Sequence, residues 1–240
     1  MNIETTNAQN TTETAIGFIP CYRLPFLSLF HADCMQIMKQ YPDKYFDLAI
    51  VDPPYGIDDK LQFHLTGTAK NKMYSEKRWD KKTPEADYWK ELFRVSKNQI
   101  VFGGNYFTDY LPQSRGWFVW HKLHDKNLKY SQVELIYTSF DVATKIKRMN
   151  PDSISYSIKS IHPTQKPVGI YEWVLQLFAT QKMKILDTHF GSGSIALAVD
   201  KANRLDKMNL HLTACEIDLD YVNASIKRIS ESIKQGTLSF

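Results

Sequence analysis

Two adjacent prolines put a hard stop in the first half of the chain. They follow the apolar run Phe46-Asp47-Leu48-Ala49-Ile50-Val51, which reads as a short buried strand. Each proline fixes its own φ and lacks a backbone donor, so Pro53 and Pro54 cannot continue a central strand. The strand therefore ends at Asp52. Asp52-Pro53-Pro54-Tyr55 leaves a carboxylate, a stiff corner and an aromatic ring at its carboxyl end. In an open α/β sheet that is the edge where ligands bind. An ordinary strand-to-loop turn would use the same four residues, so the rest of the chain must decide.

A second constellation lies late in the sequence. Lys184-Ile185-Leu186-Asp187 reads as a strand, Phe190-Gly191-Ser192-Gly193-Ser194 as a glycine turn, and Ile195 to Val199 as the start of a helix. The next strand, His211 to Cys215, ends in Glu216. Strand, Gly-x-Gly, helix, strand and acidic residue together form the fingerprint of a nucleotide-binding βαβ unit, whose terminal carboxylate can accept both ribose hydroxyls. Ala196 stands where the third glycine would be and still allows close packing of helix on sheet. Only 24 residues follow Glu216, so the remaining strands are expected from upstream. The sheet is then a circular permutation, with the nucleotide half last and both candidate sites on one carboxyl edge.

Between these landmarks the sequence alternates strands and helices. Strands are expected at Phe26 to Phe30, Gln99 to Phe102, Gly116 to His121 and Gln132 to Thr138, the last two as a hairpin. Helices are expected at Met35 to Tyr41, capped by Asp33, from Pro84 to Val95, from Val168 to Ala179 and from Tyr221 to Ile233. Residues 1–20 read as a disordered polar tail and 21–240 as one domain. The polar segments 56–82 and 140–161 are expected to be mobile or ligand-contacting loops. Gly103-Gly104-Asn105 ends a strand on the same edge and reads equally as pocket border or turn. Trp117 and Trp120 read as sheet-face residues. Tyr74 and Trp79 sit among lysines.

Charge is unevenly spread. Residues 58–82 carry seven Lys/Arg against four Asp/Glu, and residues 122–166 eight against four, in a chain whose net charge is +4. A surplus confined to two polar stretches is what a footprint for phosphates looks like. Cys21, Cys34 and Cys215 are widely spaced and form no CxxC pair, which argues against a disulfide framework or zinc site and suits a reducing cytoplasm. No apolar stretch approaches the roughly 18 residues of a membrane span.

With these residues placed, the sequence resembles the S-adenosylmethionine-dependent amino-methyltransferases of DNA. The resemblance rests on Asp-Pro-Pro-Tyr at 52–55, His-Pro-Thr-Gln-Lys-Pro at 162–167, Phe-Gly-Ser-Gly at 190–193 and Cys-Glu-Ile-Asp at 215–218. Their order is similar to that of the permuted β class. It implies a single Rossmann-like α/β domain with a largely parallel seven-stranded sheet and an antiparallel hairpin. It further implies that Asp187, Gly191, Ser192 and Gly193 hold the methionine part of the cofactor and Glu216 its ribose. Thr164 and Lys166 would line the same pocket, and Asp33 and Cys34 would meet its adenine. Thr188-His189 stands where the family usually has Pro-Phe, leaving His189 or Phe190 to pack on the methionine. Expected partners are double-stranded DNA, a second copy of the chain and a cognate restriction endonuclease, in the cytoplasm at the nucleoid. No metal is expected.

The chemistry gives these residues their work. An exocyclic base amine is a poor nucleophile, because its lone pair is delocalised into the ring. Two acceptors aimed at its N–H bonds favour a pyramidal nitrogen. The Asp52 carboxylate can supply one and the carbonyl of Pro53 the other, held rigid by Pro54. Tyr55 offers a stacking face, worth about 1–3 kcal/mol. A base inside a duplex must first be flipped out. Adenine N6 is the leading target and cytosine N4 its close alternative; an RNA substrate, a protein glutamine amide, a non-catalytic nucleic-acid-binding subunit and a nicotinamide oxidoreductase are more remote.

Overall fold

The computed structural model describes residues 18–57, 82–123, 131–151, 161 and 165–237. Among the described residues nine strands form one sheet: β1 (Tyr22–Leu24), β2 (Leu27–His31), β3 (Phe46–Val51), β4 (Ser96–Phe102), β5 (Trp117–His121), β6 (Val133–Thr138), β7 (Lys145–Arg148), β8 (Lys184–Asp187) and β9 (His211–Glu216). Their spatial order is β1-β2-β9-β8-β3-β4-β6-β5-β7. The helices are α1 (Cys34–Met38), α2 (Ala86–Val95), α3 (Val168–Phe178), α4 (Ser194–Asp206) and α5 (Leu219–Thr237). None of the described helices is long and apolar enough to cross a membrane.

Alternation along each strand builds two cores. Leu48, Ile50, Ile100, Phe102 and Leu212 face α3, α4 and α5, where Val174, Val199 and Ile229 meet them. Ala49, Val51, Val101 and Leu186 face the other way, against Ile37 of α1 and Trp89 and Leu92 of α2. Burial on both faces is why the central strands read as continuous apolar runs.

The five central strands β2, β9, β8, β3 and β4 run parallel, while β6 joins β4 antiparallel and forms the expected hairpin with β5. The sheet is two strands wider than the seven expected. The additions, β1 and β7, are the two edge strands. One has three residues and the other, Lys145-Ile146-Lys147-Arg148, is mostly exposed, so neither shows the apolar signal of a buried strand. Part of the expected loop 140–161 is thus a strand, parallel to β5. Residues 1–17, 58–81, 124–130, 152–160, 162–164 and 238–240 lie outside the described residues, and with them most of the N-terminal tail, most of the 56–82 loop, Tyr74, Trp79, His162 and Thr164.

The pairing of β3 with β8 positions the site. From β3 the chain winds toward β4, and from β8 toward β9, so the strand order reverses between them. Leu48 pairs with Ile185 and Ala49 with Leu186, which brings Asp187 level with the end of β3. Asp52 and Asp187, far apart in sequence, therefore share the crevice at the switch point.

Candidate active site

Beyond β3, Asp52 is gripped from two sides. Its Oδ2 lies 2.5 Å from Lys166 Nζ, and its Oδ1 accepts the Tyr55 hydroxyl at 2.7 Å. A second carboxylate shares both donors: Glu134 Oε1 is 3.1 Å from the Tyr55 hydroxyl and 3.1 Å from Lys166 Nζ. Lys122 Nζ balances Glu134 from beyond, 3.0 Å from Oε2. Glu134 comes from β6, Lys122 follows β5, and Lys166 precedes α3. Four separate segments thus converge on two carboxylates, two ammonium groups and a phenol.

Burial sets the protonation states. It pushes the Asp52 carboxyl above its ordinary range, although the Lys166 charge opposes the shift. Burial works against both charges of the neighbouring pair but is outweighed: Lys166 is held above its usual value by Asp52 and Glu134, and Glu134 below its own by Lys166 and Lys122. The Tyr55 phenol is driven well up by burial and by Asp52, so it remains a donor.

Tyr55 is also fixed by its ring. Tyr106 stacks on it at 4.8 Å with 12° between planes, and Phe107 meets it edge-on at 6.0 Å. The stacking face expected to be open is thus covered by Tyr106, itself 43% exposed. On another side, Gly103 adopts φ +63°, and a Cβ there would come within 2.4 Å of the Tyr55 ring. Only glycine satisfies both the left-handed backbone and the contact. Gly103 is therefore more than a turn.

The neighbouring half of the crevice is built around the glycine turn. Asp187 is 2% exposed, and burial pushes its carboxyl up to about 8; Oδ1 accepts the His189 amide at 3.0 Å. The Gly191 amide donates to Glu216 Oε2 at 2.8 Å and the Asp218 amide to Oε1 at 3.0 Å, tying the turn to the end of β9. Gly193 has φ +70°, and a Cβ there would press at 3.1–3.2 Å on Ile229 and Phe190. Phe190 is buried beneath the turn, whereas His189 stays half-buried, its ring centroid 5.5 Å from that of Tyr88 in an edge-on contact. Burial lowers His189 to about 4, so the ring is neutral. Its Nδ1 lies 2.9 Å from Thr188 Oγ1, which pairs with the Tyr88 hydroxyl at 2.7 Å.

Asp33 caps α1, its Oδ1 accepting the Met35 amide at 2.7 Å. Burial, with the Asp33 charge, pushes the Cys34 thiol up to about 12. Both residues border Glu216, because the Ala32 amide donates to the Glu216 carbonyl at 3.1 Å. Lys166 joins the two halves. Its side chain holds Asp52, while its carbonyl accepts Ser194 Oγ at 2.7 Å beside Ser192. Arg228 of α5 supports the turn from beneath, Nη1 donating to the Ser192 carbonyl at 2.8 Å and to Ser194 Oγ at 2.9 Å.

The structure brings Asp52, Tyr55 and Lys166 together on one side and Asp33, Cys34, Asp187, His189, Gly191, Ser192, Gly193 and Glu216 on the other. Lys166 points its charge at Asp52 rather than at the glycine turn. Sequence reasoning missed Glu134, Lys122, Tyr106 and Arg228. For Glu134 a signal existed: it shares strand parity with the buried Ile136 and Thr138. A lone carboxylate on the buried side of a strand demands a partner.

The fold is shared with solved DNA methyltransferases. The PvuII cytosine-N4-specific enzyme matches with a TM-score of 0.59 at 13% identity, covering 89% of each chain. M1.HpyAVI, solved in complex with SAM, matches with 0.54 at 18% identity, covering 84% of this chain and 99% of its own. In sequence, the type II methyltransferase M2.MboI of Moraxella bovis is 22% identical over 262 positions, 85% of this chain and 88% of that one. Fold and crevice together define a Rossmann-like nucleotide-binding enzyme of permuted order. Residues 106–227 match the N6/N4 DNA methylase family, and the chain belongs to it as an S-adenosylmethionine-dependent DNA amino-methyltransferase. The matched span holds Glu134, Lys166, the glycine turn and Glu216; Asp52 to Tyr55 lie before it.

Proposed function

We propose that the protein methylates the N6 amine of adenine in a base turned out of double-stranded DNA. The observation that carries this reading is the placement of Asp52, behind a rigid proline pair, beside the end of β8 at the switch point. Asp as the first residue of the tetrapeptide favours adenine by family resemblance. Mass spectrometry of nucleosides from treated DNA tests it: N6-methyladenine is expected, and N4-methylcytosine alone would overturn the choice.

The donor set fits the cofactor. A glycine turn with a left-handed backbone at Gly193, a carboxylate at the end of β9 and a buried carboxyl at Asp187 suit its sugar and its cationic amino acid. When bound, S-adenosylmethionine supplies an activated methyl group. The chain's own residues align the acceptor. Asp52 and the Pro53 carbonyl each take one amine N–H, and the proton released on methylation passes to Asp52, whose raised basicity suits it to accept. Asp33, Cys34, Thr164 and His189 complete the cofactor's surroundings in this reading. A second copy and a cognate endonuclease are proposed partners, at the nucleoid; sedimentation of the purified chain tests the first.

Three results are expected. With the Asp187 carboxyl at about 8, holding the cofactor's ammonium requires loss of its proton. Affinity for S-adenosylmethionine should therefore rise as pH increases between about 6.5 and 8.5, then level off. Calorimetry in buffers of different ionisation enthalpy should show proton release near neutrality. Gly103→Ala would force Tyr55 aside and strain the backbone, lowering single-turnover methylation about 10- to 100-fold with cofactor affinity unchanged. On the edge strand, replacing both Lys145 and Lys147 with Ala should weaken DNA binding. If each meets a phosphate, the slope of log K against log salt falls by about 2.

A further inference from the structure

Asp52 meets its substrate with both oxygens already engaged. Tyr55 donates to Oδ1 at 2.7 Å and Lys166 to Oδ2 at 2.5 Å, and an oxygen so close to an ammonium is a weaker acceptor for an amine. Yet each of these donors also lies 3.1 Å from Glu134 Oε1. The two cases differ in proton count. A phenol has one proton and serves one carboxylate at a time, whereas an ammonium has three and can serve both. Turning the Tyr55 O–H from Asp52 to Glu134 needs no movement of any heavy atom.

We propose that Glu134 is a positioning residue that takes over the Tyr55 hydroxyl, and a larger share of Lys166, when the target amine reaches Asp52. This rests on the reading of Asp52 as the amine's acceptor. Lys122, 3.0 Å from Glu134 Oε2, keeps the receiving carboxylate compensated inside the fold. Without Glu134, the phenol would have no second carboxylate to turn to and the ammonium would keep only the phenol oxygen, 3.2 Å away, so both would compete with the amine for Asp52.

The charges around Asp52 make the idea testable by pH. Facing it are Tyr55 from its own loop, Lys166 from the segment before α3, Glu134 from β6, Asp187 from β8 and Tyr171 from α3. The negative charge of Glu134 raises the Asp52 carboxyl, while the positive charge of Lys122, 3.0 Å from Glu134, offsets it. Changes at these two positions should therefore move the acid limb of the rate profile in opposite directions.

The experiment measures single-turnover methylation against pH at saturating DNA and cofactor. Wild type comes first: if it methylates no DNA amine, the functional reading itself fails and Glu134 is not at issue. Glu134→Gln is expected to be about 10- to 100-fold slower, with its acid limb at lower pH and cofactor affinity by calorimetry within about threefold of wild type. Lys122→Met alters a partly exposed side chain, so it provides a second readout if Glu134→Gln folds poorly; its acid limb should move to higher pH. In a Tyr55→Phe background, Glu134→Gln should cost several-fold less than in wild type. Acid limbs that stay put or move together, or the same loss in both backgrounds, would reduce Glu134 to a structural counter-ion and overturn the proposal.

Discussion

Asp52→Ala should lose methyl transfer by at least about 10³-fold while still binding S-adenosylmethionine. Removal of one preorganised hydrogen-bond partner at a reacting centre costs about 10²–10³ in rate, and Asp52 is also the proposed proton acceptor. The substitution should be tolerated by the fold, because Lys166 keeps Glu134 at 3.1 Å and Glu134 keeps Lys122 at 3.0 Å. Transfer of a radiolabelled methyl group, run beside calorimetric titration of the cofactor, gives both quantities. Near wild-type labelling by a purified, folded Asp52→Ala protein would remove Asp52 from the mechanism.

The largest stability effect is expected from Lys166→Met. Its side chain is 4% exposed and its ammonium separates two carboxylates. Breaking a buried pair from one side costs about 3–5 kcal/mol, because the remaining charges lose compensation. In a protein of this size that is about 6–20 °C in Tm. The sign of the pH dependence is diagnostic. Without Lys166, repulsion between Asp52 and Glu134 raises a carboxyl pKa in the folded state above its unfolded value. The folded variant then binds more protons, so its deficit against wild type shrinks as pH falls through that raised value. Thermal melts of both proteins across the acid range decide it. A deficit that widens on acidification would mean that the two carboxylates do not repel across the gap.

How legible was this in the sequence? The backbone of the site was, because it is written locally. Pro53 and Pro54 end β3 wherever β3 lies, and the turn at Gly191 and Gly193 with Glu216 to follow specifies its own strand-helix-strand unit. Their adjacency followed from chain order, since a cofactor unit placed late leaves the other half upstream. The side-chain partnership was not legible. The motif around Lys166 implies, by resemblance, a place in the cofactor pocket, yet its charge turns to Asp52. That choice depends on Glu134, whose approach requires β6 to pair with β4 and β5 to pair with β6. Strand parity with Ile136 and Thr138 marks Glu134 as facing inward, but nothing local names the partners it meets. Tyr106 over Tyr55 is hidden for the same reason, as ring contacts belong to the assembled edge. Strands β1 and β7 escaped notice because an edge strand buries little and so carries little pattern.

The junction of β3 and β8 has a consequence for how the protein is made. Strand β3 is complete at Val51, but its partner β8 ends at Asp187. At about 5–20 residues per second, a ribosome needs roughly 7–27 s to travel between them. Throughout that interval a strongly apolar strand of the emerging chain has one side unpaired, the kind of surface that recruits neighbours on a polysome. Slow translation of this stretch should raise the aggregated fraction, and a chaperone that shields extended apolar segments should lower it. The same wiring gives a safeguard: a chain that stops before Asp187 lacks half of the crevice, so it cannot mark DNA.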